Sequence, residues 1–172
     1  MVGALAGTWM VSGIIPSMIY YGLQILSPAV FLPATLIICS VISIATGSSW
    51  TTSATVGIAL IGIGGALGFD LGMVAGAVIS GAYFGDKLSP MSDTTNLAPA
   101  MAGTDLFTHI KYMTLTTIPT YIITLILFIV LGLSVDVNGD VNINELLTSI
   151  ETSFHVTPWL FLVPVIVIGL IV

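Results

Sequence analysis

Basic charge is almost missing from this chain. Of its 172 residues two are lysines, Lys87 and Lys111, none is arginine, and charged residues of both signs make up 6%. Soluble domains carry about 25% charged residues, so a soluble core inside a wetted surface is excluded. With no basic patch to meet a phosphate backbone, nucleic-acid partners are excluded too. A single cysteine, Cys39, leaves no internal disulfide to form and fixes no redox compartment. The first residues lack a basic region and a cleavage pattern, so no signal peptide is expected. The apolar run from Pro158 to Val172 at the chain end reads as an excerpt of a longer protein.

What the chain has instead is apolar length. Hydrophobic residues make up 56% of it, and its mean hydropathy is +1.15. The reading is an all-α integral membrane protein, because helices satisfy their own backbone hydrogen bonds in lipid. Eighteen glycines suit helices that pack closely there. The net charge of −6 reflects eight acids, four of them in residues 136–151, and so describes one loop.

Thr8 to Leu26 is long enough to cross a hydrocarbon layer of about 30 Å, with a kink expected at Pro16. Val30 to Ala45 is a second span, with Pro33 in its first turn. Met113 to Leu133 is a third, carrying Pro119. Trp9 and Trp159, near span ends, fit an interfacial belt. Between the second and third spans lie two shorter apolar runs, 56–69 and 71–84, each about 21 Å as helix. With a turn at 68–72, both end at the same depth, short of the far side.

Two polar stretches follow those ends. Residues 46–55 hold seven hydroxyl side chains and no charge, and residues 85–97 hold Asp86, Lys87 and Asp93 among further hydroxyls and amides. Polar sequence inside an apolar setting is costly unless it lines a cavity or binds something. Both stretches are expected to be unwound and to face each other inside the membrane, which is where transporters place their sites. They also share a Ser-x-Thr-Thr pattern, Ser49 to Ser53 and Ser92 to Asn96. Chance matches of this kind are common in a chain so rich in Ser and Thr. The glycine pairs 64/68, 72/76 and 81/85 suit tight packing of the two arms.

The residues able to hold an ion or a proton are Asp86, Asp93, Lys87, Ser92, Thr94, Thr95 and Asn96, with Thr46, Ser48, Ser49, Thr51 and Thr52. A Na⁺ ion would sit at Asp86, Asp93, Thr94 and Ser48. Burial favours a neutral carboxyl and an adjacent cation favours the ionised one, so a cation and a proton exclude each other at such a site. Lys87 is a candidate ion-pair partner for either aspartate, and also the group that the ion displaces. The structural alternatives are a salt bridge at a helix end and hydroxyls bonded back to carbonyls within helices.

Asp70 at the turn is expected to be solvated, His109 and His155 to be surface residues, and Trp50 to be a packing anchor. The run from Asp136 to Asn142 starts like a calcium loop but has Val141 where the loop needs Gly and Leu147 where it needs Glu. Gly47-Ser48-Ser49 lacks a histidine within an apolar span to act as a hydrolase base. From Ser134 to Thr157 the chain is a polar loop, with Ile143, Leu146, Leu147, Ile150 and Phe154 spaced for a short amphipathic helix on the membrane surface. Lys111 places its end of the third span in the cytoplasm and this loop outside.

Ala45-Thr46-Gly47-Ser48-Ser49-Trp50-Thr51-Thr52, Gly81 to Pro90, Ser92 to Pro99 and Asp105 to Ile110 resemble the NhaC-type Na⁺/H⁺ antiporters, a likeness that covers roughly residues 5–133. The resemblance implies a polytopic bundle with broken helices, of which residues 1–172 form a single transmembrane part. It implies Na⁺/H⁺ exchange in a prokaryotic plasma (inner) membrane, with Na⁺ and H⁺ as substrates, lipids as surroundings, no enzyme activity and no cofactor, and leaves room for a homo-oligomer. The alternatives are a malate/lactate-type organic-anion exchanger of the same architecture and a membrane scaffold that transports nothing.

Overall fold

The computed structural model describes residues 2–135, 143–163 and 166. The calcium-loop look-alike at 136–142 therefore lies outside the described residues, as does most of the apolar run at the end.

Helix α1 (Val2–Val11) stops before Gly13, whose φ of 84° is open to glycine at little cost, and α2 (Ile14–Ile25) starts directly after it. The first span is thus two helices broken at Gly13, not one kinked at Pro16. Pro16 causes no kink because it lies in the first turn of α2, where its missing N–H costs nothing. Trp9 does not sit in an interfacial belt: it is buried in a small cluster with Ile14, Ile15 and Ala59.

Helix α3 (Pro28–Thr46) begins with Pro28 at its first position, so Pro33 lies in the interior. The ring of Pro33 removes the hydrogen bond to Ala29 O. That carbonyl faces Gly132, where a Cβ would come within 3.2 Å of it.

After Gly47 and Ser48 the chain re-enters a helix at α4 (Ser49–Thr52), passes through a π turn (Ser53–Gly57) and continues as α5 (Ile58–Ala66). A turn leads to α6 (Leu71–Leu88), whose N-terminus is capped by Asp70 accepting from Met73 N at 3.0 Å. Asp70 is exposed and serves as a cap. Residues 89–92 separate α6 from α7 (Asp93–Ala102), and α8 (Leu106–Ser134) runs unbroken through Pro119 from its cap, Asp105. Helix α9 (Ile143–Ser153) and a 3₁₀ turn (Pro158–Phe161) complete the described elements.

The unwound stretches are therefore shorter than 46–55 and 85–97. Only Gly47–Ser48 and residues 89–92 leave the helix. Thr52 Oγ1 donates to Ser48 O and Thr55 Oγ1 to Thr51 O, so these hydroxyls close onto the backbone and let the helix continue. At the other stretch no residue breaks the helix until Ser89, which precedes a proline and is extended. Both arms of the hairpin thereby reach eighteen residues, about 27 Å.

Helix α6 lies along α3, and its glycines make that contact. A Cβ on Gly81 would collide with Leu36 O, and one on Gly85 would fall 2.5 Å from Ile44 N. Gly81 and Gly85 thus join α6 to α3, not the two arms to each other; Gly64, against Val74, performs that second task. Phe31, Leu32, Leu36, Cys39, Val74 and Val78 are buried at the centre. Helix α8 crosses α3 and α6, with Tyr121 stacked on Phe84 at 3.9 Å and hydrogen-bonded to Ser40 at 3.0 Å. Helix α9 docks on α2 through Tyr20, which donates to Glu151 at 2.7 Å. The described residues are all-helical apart from turns and connections, and α3 and α8 are long and apolar enough to cross a membrane by length and composition.

Candidate functional site

Both breaks fall at the same place. Gly47, with φ 66°, ends α3, and a Cβ there would lie 2.7 Å from the carbonyl carbon of Met91. The two irregular segments therefore touch backbone to backbone, and only glycine permits it. Ser89, buried, pins this arrangement: its Oγ donates to Ile44 O at 2.7 Å and accepts from Met91 N at 3.2 Å. Four helix ends meet here, those of α3 and α6 with their carbonyls and those of α4 and α7 with their N–H groups.

Asp86 lies at the centre, in the last turn of α6 and 9% exposed. Ser92 Oγ donates to its Oδ1 at 2.7 Å, and Ser49 Oγ to its Oδ2 at 3.2 Å. Those serines are the first residues of the two Ser-x-Thr-Thr copies, so one carboxylate is gripped by the same motif position from both sides. A serine that donates to a carboxylate keeps its lone pairs, and these can face a cation beside that carboxylate. Ser92 Oγ also lies 3.0 Å from Thr94 Oγ1.

A cavity of about 470 Å³ opens beside this carboxylate. Eight of the twelve expected residues line it: Thr46, Ser48, Ser49, Asp86, Lys87, Ser92, Asp93 and Thr94. Four do not. Thr51 gives its N–H to Ser48 Oγ at 3.2 Å, and Thr52 is buried on Ser48 O. Thr95 Oγ1 donates to the carbonyls of Asp86 at 3.0 Å and Lys87 at 3.3 Å, tying off the end of α6. Asn96 Nδ2 donates to Pro90 O at 2.6 Å and Ser92 O at 2.9 Å, which holds the loop closed. Thr52, Thr95 and Asn96 build the frame, because their side chains are spent on backbone carbonyls, and Thr51 adds the N–H that Ser48 caps.

Two further expectations change, and the two aspartates differ in setting. Asp93 is exposed, at the first position of α7, so the two aspartates are not equivalent. Lys87 forms no ion pair with either aspartate among the described residues; it is half-buried on the wall of the cavity. Trp50 is 78% exposed and lines the cavity instead of anchoring the packing. His109 is half-buried and His155 exposed. Among the described residues no three His, Cys, Asp or Glu side chains converge, so the donors here are one buried carboxylate, one exposed one and neutral oxygens. This set suits a hard cation of low charge more than a transition metal.

Ser89, in the sequence one hydroxyl of the polar stretch, and Tyr83 are not among the expected site residues. A Ser directly before Pro and two residues before the next free N–H is the pattern of a serine turn, and it was there to be read. Tyr83, one turn before Asp86, carries no comparable signal.

Residues 81–172 match the model of the Na⁺/H⁺ antiporter family. The chain is 49% identical over 172 residues to the malate-2H⁺/Na⁺-lactate antiporter of Bacillus subtilis, covering 99% of this chain and 37% of that protein. It is 46% identical over 168 residues to the Na⁺/H⁺ antiporter NhaC of Alkalihalophilus pseudofirmus, covering 98% and 36%. It is 46% identical over 135 residues to the arginine/ornithine antiporter ArcD of Halobacterium salinarum, covering 78% and 28%. The chain spans little more than a third of the length of the first two of these relatives. No solved structure matches it.

Proposed function

The chain belongs to the Na⁺/H⁺ antiporter family, and from that premise we propose that it forms the ion-binding part of a secondary transporter exchanging Na⁺ for H⁺ across a prokaryotic plasma membrane. The observation that carries this is the buried Asp86 carboxylate, held by Ser92 and Ser49 from two different chain breaks and open to an oxygen-lined cavity. In the protonated state the carboxyl is neutral and holds no cation. In the ionised state it draws a Na⁺ ion, to which Ser49, Ser92 and Thr94 present lone pairs. A proton on the carboxylate removes the charge that holds the cation, and a cation beside it favours the ionised form, so one occupant leaves as the other arrives.

Asp93, at the exposed rim, attracts cations to the cavity without holding them. The broken pairs α3/α4 and α6/α7 meet inside the membrane, with α3 and α8 crossing it in a polytopic bundle. Such breaks let helix-end carbonyls join the coordination.

The test is ²²Na⁺ uptake driven by a pH gradient, in proteoliposomes of the full-length protein. Asp86→Asn abolishes exchange, and Asp93→Asn keeps most of it. Wild-type rates in Asp86→Asn would remove the carboxylate from the mechanism.

A second reading has its own support. Two of the relatives are named for carrying small carboxylates or amino acids, so an organic-anion exchanger with Na⁺ or H⁺ as coupled ion fits the same frame.

A further inference from the structure

A second cavity, of about 380 Å³, lies between α6 and α8. It is separate in chemistry from the Asp86 site: no carboxylate lines it. Its wall from α6 carries Ser80, Tyr83 and Lys87, and its wall from α8 carries Thr117 among other threonines.

The hydrogen bonds sort these groups. Thr120 and Thr124 donate to the carbonyls of Thr116 and Thr120, each at 2.9 Å, and Thr116 to Met113 O at 3.0 Å. Their hydrogens are committed to their own helix. Ser80 Oγ, Tyr83 Oη, Thr117 Oγ1 and Lys87 Nζ have no hydrogen-bond or ion-pair partner among the described residues. One ammonium and three hydroxyls thus face one cavity with hydrogens to give and no protein acceptor to take them.

A donor-lined, cationic cavity beside the middle of an apolar helix recognises an anion with several acceptor oxygens. We propose that the α6–α8 cavity binds a small organic carboxylate, with Lys87 on its charge and Ser80, Tyr83 and Thr117 on its oxygens. The aromatic faces of Phe84 and Tyr121 close the side toward α3. Lys87 and Tyr83 line both cavities. A carboxylate on Lys87 draws the ammonium away from the cavity of Asp86, and this favours the cation there. Anion and cation occupancy are therefore coupled through one side chain, with positive sign and equal in both directions. The proposal rests on the ion-site reading and locates the anion that the second form of it requires.

The experiment uses the full-length protein in nanodiscs, with L-lactate and L-malate as probes and chloride as control anion. Binding is read by calorimetry, and ²²Na⁺ binding is measured on the same samples. One of the two carboxylates binds and chloride does not. The Ser80→Ala/Thr117→Val double variant weakens that binding about tenfold or more, while ²²Na⁺ affinity in the absence of carboxylate stays as in wild type. Thr117→Ser, which keeps the hydroxyl, retains more affinity than Thr117→Val and shows that the loss follows the donor. Failure of both probes to bind a protein that still binds ²²Na⁺ overturns the anion site and leaves the ion site standing. Carboxylate binding unchanged in the double variant also overturns it. Loss of ²²Na⁺ binding in the wild-type protein overturns the ion-site reading instead.

Discussion

Ser92 Oγ lies 2.7 Å from Oδ1 of Asp86, and the shorter of the two hydroxyl contacts to that carboxylate therefore comes from the break after α6, not from the break after α3. A hydrogen bond to a charged group contributes about 1.5–3 kcal/mol. Ser92→Ala is expected to weaken Na⁺ binding about tenfold or more, and Ser49→Ala, whose contact is 3.2 Å, to weaken it less. The double variant loses less than the product of the two, because both act on one carboxylate. Equilibrium ²²Na⁺ binding to the three variants checks the order.

Gly47 and Gly103 make a controlled pair. Their φ angles are 66° and 69°, so alanine costs each about 1–2 kcal/mol of left-handed strain. At Gly103 an added Cβ meets nothing within 4 Å, whereas at Gly47 it meets Met91 at 2.7 Å. Gly47→Ala is expected to lower thermal stability by a further 1–3 kcal/mol or so beyond Gly103→Ala and to weaken Na⁺ binding. Gly103→Ala leaves Na⁺ binding unchanged. Melting curves in detergent with and without NaCl measure both effects.

A Cβ added at Gly85 would meet the backbone of α3 at Ile44 and Ser40 and the side chain of Ser43. Gly85→Val pushes α6 off α3 and moves Asp86, the next residue, from its two serines. Loss of folded protein in size-exclusion profiles is expected, and it exceeds that of Gly76→Val. The Cβ of a substituent at Gly76 meets only Phe128, at 3.7 Å.

The convergence of residues 46–52 and 85–94 was legible because two apolar runs of equal length bracket one turn. Their ends must then lie together, whatever the details. The extent of unwinding was not legible. Hydroxyl-rich sequence competes with helix only where its side chains find no carbonyl one turn back, and Thr52 and Thr55 find one. The partner of α6 was misjudged for a related reason. Small-xxx-small spacing announces a close neighbour but not which helix it is, and the glycine stripe at 81 and 85 faces α3. Pro16 and Gly13 show the same limit. A proline in the first turn of a helix is silent, so the break falls to a glycine three residues earlier that no periodicity marks. The different standing of Asp86 and Asp93 also lay beyond the sequence, since only the fold buries one and exposes the other.

A cation and a proton competing for Asp86 is the claim on which the rest turns, and proton release on Na⁺ binding tests it most directly. Calorimetric titrations of the full-length protein with NaCl, in buffers of different ionisation enthalpy, count the protons released. The account predicts release in the wild type, retained in Asp93→Asn and absent in Asp86→Asn, with Na⁺ affinity falling as pH falls by up to about tenfold per unit where the proton competes. Undiminished proton release in Asp86→Asn would contradict it.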